Sequence, residues 1–249
     1  MKKRFIILFY LIYLTVYPLF AQKGFLFDIY GGPQNTWLYS KDKFQTSQFT
    51  SSSSINYKLT YHWDVGQFIG YNFTDHFGIK SGLIYSRQGQ KYNITDGDCM
   101  CNPATLEINL DYIKIPILFA YTFIPSKPIS TTLSLGFQYS NLVSLYDNYQ
   151  NILLCKVLLP SPETRYTKND WAGVITFDIN YKLRANIYIQ TSCRFDYGFG
   201  EIFKQNAFLF GELDRFKNTI NITDGLTIGF VYILPIKPNN DEKKKDKSK

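Results

Sequence analysis

Apolar and polar residues take turns along most of this 249-residue chain. Leu133, Leu135, Phe137 and Tyr139 alternate with Ser134, Gly136, Gln138 and Ser140. Trp171, Ile175, Phe177, Ile179 and Tyr181 alternate with Ala172, Val174, Thr176, Asp178 and Asn180. Ile187, Ile189, Cys193, Phe195, Tyr197 and Phe199 stand against Tyr188, Gln190, Ser192, Arg194, Asp196 and Gly198. Leu226, Ile228, Phe230, Tyr232 and Leu234 close the series, and Phe25–Ile29, Trp63–Phe73 and Phe77–Tyr85 open it. A period of two is the mark of a strand with two unlike faces. About eight strands of roughly 9 to 16 residues are predicted, long enough to cross a bilayer at a tilt.

The stretch "LDYIKIPILFAYTF" (Leu110–Phe123) fits the same period with two disturbances. Ile113, Ile115, Ile117, Phe119, Tyr121 and Phe123 form one face, but upstream Leu106, Ile108 and Leu110 fall on the other phase. A slip, and hence a bulge, is predicted near Asp111 and Tyr112. Pro116 cannot donate to a ladder, so an irregularity is predicted there too.

Between the predicted strands, long segments at 33–60, 91–105, 147–167 and 200–218 alternate with short ones at Phe73–His76, Pro125–Ile129 and Lys182–Arg184. Short turns at one end and long loops at the other characterise a membrane barrel, and an even strand number leaves both termini on the turn side, the periplasm. A soluble barrel shares the alternation but washes its polar face with Lys and Glu; here that face is mainly Ser, Gly, Gln, Asn and Thr, which suits a crowded lumen. Charged residues reach only 19% while aromatics reach 18%, and aromatics gather near predicted strand ends, where membrane girdles sit. The fold class expected is all-β: an eight-stranded antiparallel up-and-down transmembrane β-barrel.

"MKKRFIILFYLIYLTVYPLFAQ" reads as a secretory signal over residues 1–21, cut after Ala21. Residues 22–236 then form the barrel, and residues 237–249, with six lysines, a solvated disordered tail in the periplasm. Setting signal and tail aside leaves 18 cations against 17 anions, so the formal charge of +7 is no nucleic-acid signature. The partners expected are outer-membrane lipid and other outer-membrane or periplasmic proteins.

"GLIYSRQGQKY" (Gly82–Tyr92) followed by "LDYIKIPILFAYTF" resembles the Bacteroidetes outer-membrane β-barrel family that includes PorT. Tyr112, Ile113, Ile115, Pro116, Ile117 and Leu118 match that family's Tyr-(Leu/Ile)-x-(Ile/Val)-Pro-(Leu/Ile)-Leu strand. The resemblance implies an outer-membrane barrel that is not an enzyme; some relatives assist type IX secretion and gliding motility. The loop cysteines and lysine-rich tail depart from the pattern.

By phase, Asp28, Asp64, Lys80, Lys114, Asp178, Arg194 and Asp196 face the lumen, where they read as a structural salt-bridge network in preference to an ion pathway. Cys99 and Cys101 in the second long loop and Cys155 in the third suggest a bridge between loops. The alternative, a site for a soft metal on Cys99, Cys101, Asp96 and Asp98, lacks a nearby histidine. Cys193 reads as a small hydrophobe, buried or facing lipid. An outer-membrane lipase or acyltransferase would need a histidine beside a serine nucleophile. His76 falls in a short turn, leaving only His62, with Asp64 beside it and Thr50–Ser54 in the preceding loop. No cofactor is expected. An accessory of secretion, motility or assembly machinery stands ahead of an adhesin, a small pore and a lipid-acting enzyme.

Overall fold

A computed structural model describes residues 23–40, 54–95, 104–125, 128–148, 162–184, 186–204 and 219–235. Within them the strands are β1 (Gly24–Ser40), β2 (Ser54–Lys58), β3 (Tyr61–Asn72), β4 (Phe77–Thr95), β5 (Ala104–Phe123), β6 (Ile129–Asp147), β7 (Asn169–Arg184), β8 (Ile187–Gly198) and β9 (Thr219–Pro235). One helical turn, α1 (Pro162–Arg165), precedes β7. Every pairing is antiparallel, β1 meets β9, and β4 meets both β3 and β5, so the sheet closes on itself. β2 and β3 lie end to end along β4, making eight walls from nine segments. Between them Thr60 stands in for the ladder: its Oγ1 accepts from Lys91 N at 3.0 Å and donates to Lys58 O at 2.8 Å. The result is a closed eight-strand up-and-down barrel with short turns and both described chain ends at one end. No described helix is long and apolar enough to cross a membrane; among the described residues, strands are the elements that could.

The outer surface shows where lipid ends. On β5 the outward residues run Phe123, Tyr121, Phe119, Ile117, Ile115 and Ile113, then turn polar at Asp111, Asn109, Glu107 and Thr105. On β4 they run Phe77, Ile79, Ser81, Leu83 and Tyr85, then Arg87 and Lys91. The ten steps from Ile113 to Phe123 cover about 25 Å of height at ~3.3 Å per residue and ~40° tilt, a bilayer's apolar thickness. Tyr85 with Trp63, and Tyr139 with Trp171, mark the loop-end rim, their ring centroids 5.3 and 5.2 Å apart. Phe25, Tyr71, Phe73, Phe77, Tyr121 and Phe123 mark the turn-end rim. Above the belt the tall strands carry outward ion pairs, Arg87–Asp111 at 2.8 Å and Lys91–Glu107 at 3.1 Å.

The irregularity near Tyr112 is present but differs from the slip the periodicity implied. Register shifts between Asp111 and Tyr112 because β6 inserts one extra residue, Val143, between Leu142 and Ser144. β5 itself keeps phase, and Ile108, Leu110 and Tyr112 face inward beside Lys114. The apolar residues change sides because the surroundings change: above the belt the exterior is water and the interior a second hydrophobic core. The long connection expected at 33–60 is shorter than its span, since β1 extends to Ser40 and β2 begins at Ser54.

The two prolines inside strands, Pro33 and Pro116, sit where a ladder is broken on one side without a change of register. Pro116 pairs with Gln138 of β6, but Ile115 and Pro116 have no partners on β4. Proline offers no N–H on that side, and its carbonyl accepts instead from Ser81 Oγ at 2.8 Å. Pro33 likewise pairs with Trp63 of β3, while Gly32 and Pro33 are unpaired towards β9. Gly136 shows how tightly the small barrel curls: a Cβ there would lie 1.9 Å from Ile117 O.

Candidate functional site

Inward-facing side chains fill the lumen in layers. Nearest the turns, Lys80 on β4 reaches Asp178 on β7, Nζ to Oδ2 2.9 Å, and lies 5.3 Å from the Phe68 ring centroid. Ser192 Oγ donates to the other Asp178 oxygen at 2.5 Å. Asp28 on β1 shares this layer; its Oδ1 has no hydrogen-bond partner among the described residues. Above lies an apolar plug of Tyr30, Phe68, Ile84, Leu118 and Val174, with the Tyr30 and Phe68 rings stacked at 5.6 Å.

Beside and above the plug is a second charged layer. Lys114 Nζ lies 2.9 Å from Asp196 Oδ2, and Arg194 Nε lies 2.8 Å from Asp196 Oδ1. Arg194 also donates to Gln138 Oε1, and Gln138 Nε2 stands 3.4 Å from Asp196 Oδ2. Asp64 completes the layer, its Oδ1 without a partner among the described residues. Higher still is a band of amides and hydroxyls: Gln34 Nε2 donates to Ser86 Oγ at 2.7 Å and to Arg87 O at 2.5 Å, and Asn221 donates to Gln88. Thr36 bonds both backbone groups of Gly89, accepting from its N–H at 3.0 Å. Gly89 holds φ at 148°, a conformation glycine alone adopts readily.

The loop end is corked. β7 and β8 stop short of their neighbours, and the gap is filled by segments folded inward: Tyr166 bridges Phe203, Thr167 N donates to Ile202 O at 2.8 Å, and Lys204 N to Arg165 O at 2.9 Å. Arg165, 1% exposed, grips both oxygens of Asp147 at 2.8 and 2.9 Å. Leu38, Tyr92, Ile108, Leu110, Tyr112, Tyr166, Ile202 and Ile220, from the same end of the barrel, are all buried.

Asp28, Asp64, Lys80, Lys114, Asp178, Arg194 and Asp196 all lie inside the barrel and are buried, but in two layers separated by aromatic and aliphatic side chains. The plug escaped sequence reasoning although a signal existed: Tyr30 shares the phase of Asp28, and Phe68 that of Asp64. Arg165 and Asp147 flank a long connection, where periodicity offers no signal. Cys193 is exposed on the outer face of β8, within the belt. His62 opens β3 at the loop end, opposite Gln34, while Asp64 points into the lumen. His76 holds a turn, its Nδ1 2.8 Å from Thr122 O and its ring stacked on Tyr121. Residues 1–21, Thr50, Ser51, Ser52, Ser53, Asp96, Asp98, Cys99, Cys101, Cys155 and the tail at 237–249 lie outside the described residues. No cluster of three or more metal-binding side chains occurs among those described.

Comparison with protein families matches residues 20–204 to a family described as "Outer membrane protein beta-barrel domain". Among curated proteins there is no match. Among solved structures, the outer membrane protein OprG of Pseudomonas aeruginosa aligns at 12% identity over 87% of this chain and 100% of its own, with a TM-score of 0.47. Neisserial surface protein A aligns at 12% identity over 84% and 97%, TM-score 0.42. Ail, the attachment invasion locus protein of Yersinia pestis, aligns at 10% identity over 84% and 99%, TM-score 0.38.

Proposed function

Because the chain belongs to the outer membrane β-barrel domain family and is an integral outer-membrane protein, we propose that it works through its surfaces, as a non-enzymatic binding or accessory component of a secretion, motility or assembly complex. The observation that carries this reading is the filled lumen. Two ion-paired layers, an apolar plug and an inward-folded cork occupy the interior from turns to loops. A barrel of eight strands is just wide enough for side chains to fill. The chemistry left available is that of the loop end, the turn end and the outer wall. The turn end, with both chain ends, faces the periplasm, and the corked end faces outward.

The Tyr112–Leu118 segment favours the PorT-like branch. Its proline marks the break between β5 and β4, and its tyrosine packs inside, 2% exposed. Ser86, the described serine paired across from Asp64, accepts from Gln34 Nε2 at 2.7 Å, and His62 Nε2 has no hydrogen-bond partner among the described residues.

Affinity purification from native outer membrane in mild detergent, with an abundant unrelated barrel as control, tests the proposal. Reproducible co-purification of secretion, motility or assembly subunits is the expected result. Recovery of the protein alone sinks the accessory reading and leaves a stand-alone surface barrel.

A further inference from the structure

The turn-end layer encloses a cavity of about 60 Å³, open towards the turns. Lys80 of β4 and Asp178 and Asn180 of β7 give it polar walls, while on the wall of β1 and β9 Asp28, paired directly with Val231, sits among the apolar Leu26, Val231 and Ile233. The charges do not balance. Asp28 and Asp178, 5% and 1% exposed, face one cation, Lys80. Lys80 is committed to Asp178, while Asp28 Oδ1 is buried without a partner among the described residues. A carboxylate held within a membrane-spanning wall, under an apolar plug, carries a desolvation cost that a second cation would offset.

We propose that this vestibule binds a primary alkylammonium group entering from the turn end, the ammonium on Asp28 and the alkyl stem along Leu26, Val231 and Ile233. The shape fits a stem with one charged tip. Hydrogen bonds from Gln190 to Asn180 at 3.0 Å and from Asn180 to Thr132 at 3.2 Å steady the polar rim. A lysine side chain has this chemistry and can come from two sources. One is another protein in the periplasm. The other is this chain, which carries six lysines from Lys237 onward, just past the strand that supplies Ile233.

Amide NMR spectra of the full-length protein in micelles, titrated with n-butylammonium and in parallel with neutral n-butanol, test the inference. The same titration is run on full-length protein with its six tail lysines changed to glutamine. Saturable shifts around Asp28, Asp178 and Ile233 with the ammonium, absent with butanol, are expected in the glutamine variant. If the unaltered chain saturates at the same concentration, the natural donor is another molecule; if it needs much more probe, its own tail competes. Asp28→Asn should weaken binding about tenfold or more. Ala120→Leu, which leaves the charges in place and narrows the cavity, should block binding if Asp28→Asn does not fold. No saturable shift in the glutamine variant, an equal response to butanol, or unchanged binding in a folded Asp28→Asn protein would overturn the proposal.

Discussion

Within the lumen, Asp196 is the residue on which most depends, since among the described carboxylates it is the one that forms ion pairs with two cations, Lys114 and Arg194. Removing one partner of a buried pair costs about 3–5 kcal/mol because the other charge stays buried and uncompensated. Asp196→Ala strands both cations, whereas Lys114→Met leaves the Arg194 pair intact. Urea unfolding in micelles should therefore show a larger loss for Asp196→Ala than for Lys114→Met. Ser81→Ala is a quieter test. It leaves Pro116 O without its hydroxyl donor in the belt, and a loss of about 0.5–1.5 kcal/mol is expected in the same assay. The charged residues were legible because period two assigns every residue a side. Their partners were not, because pairing across the lumen depends on strand stagger, which no local pattern records.

At the scale of elements, the tall strands and the cork answer to different forces. Above the belt, β4 and β5 are tied outside by Arg87–Asp111 and Lys91–Glu107. The hydrogen bond from Arg87 holds the Asp111 carboxyl below its ordinary value of 3.8, and that from Asn109, helped by Lys91, holds Glu107 below 4.5. A depressed folded value means that the stabilisation is complete above the unfolded value and is lost as pH falls through the folded one. Amide exchange at residues 105–111 should accelerate below about pH 4 while the belt stays protected. The cork rests on packing and one buried pair. Arg165→Met should expose the amides of Thr167, Ile202 and Lys204 to exchange without opening the lower barrel. Sequence periodicity found β3 to β9 and the lower part of β1 because lipid outside and side chains inside impose one rule on each face. It misread 108–112, where that rule inverts above the belt, and it read 162–167 and 200–204 only as long connections, since their order comes from tertiary contacts.

For the whole molecule, a filled lumen predicts silence in a planar bilayer: purified protein should give no stepwise conductance, and regular steps that vanish when the lumen is packed with larger side chains would mean that the lumen is open. Strand number and order were legible from the rhythm of long and short connections. The two-layer interior was not, since it emerges only when eight walls close. That closure has a timetable. Hairpins such as β5–β6 join residues close in sequence and form early, whereas β1 and β9 must find each other across some 200 residues, so their seam forms last. Pro33 cuts this seam in two: eight pairs from Gly24 to Gly31, then seven from Gln34 to Ser40. The last act of assembly is thus two short zippers meeting at a nick, and the lower can be shut while the upper still stands open.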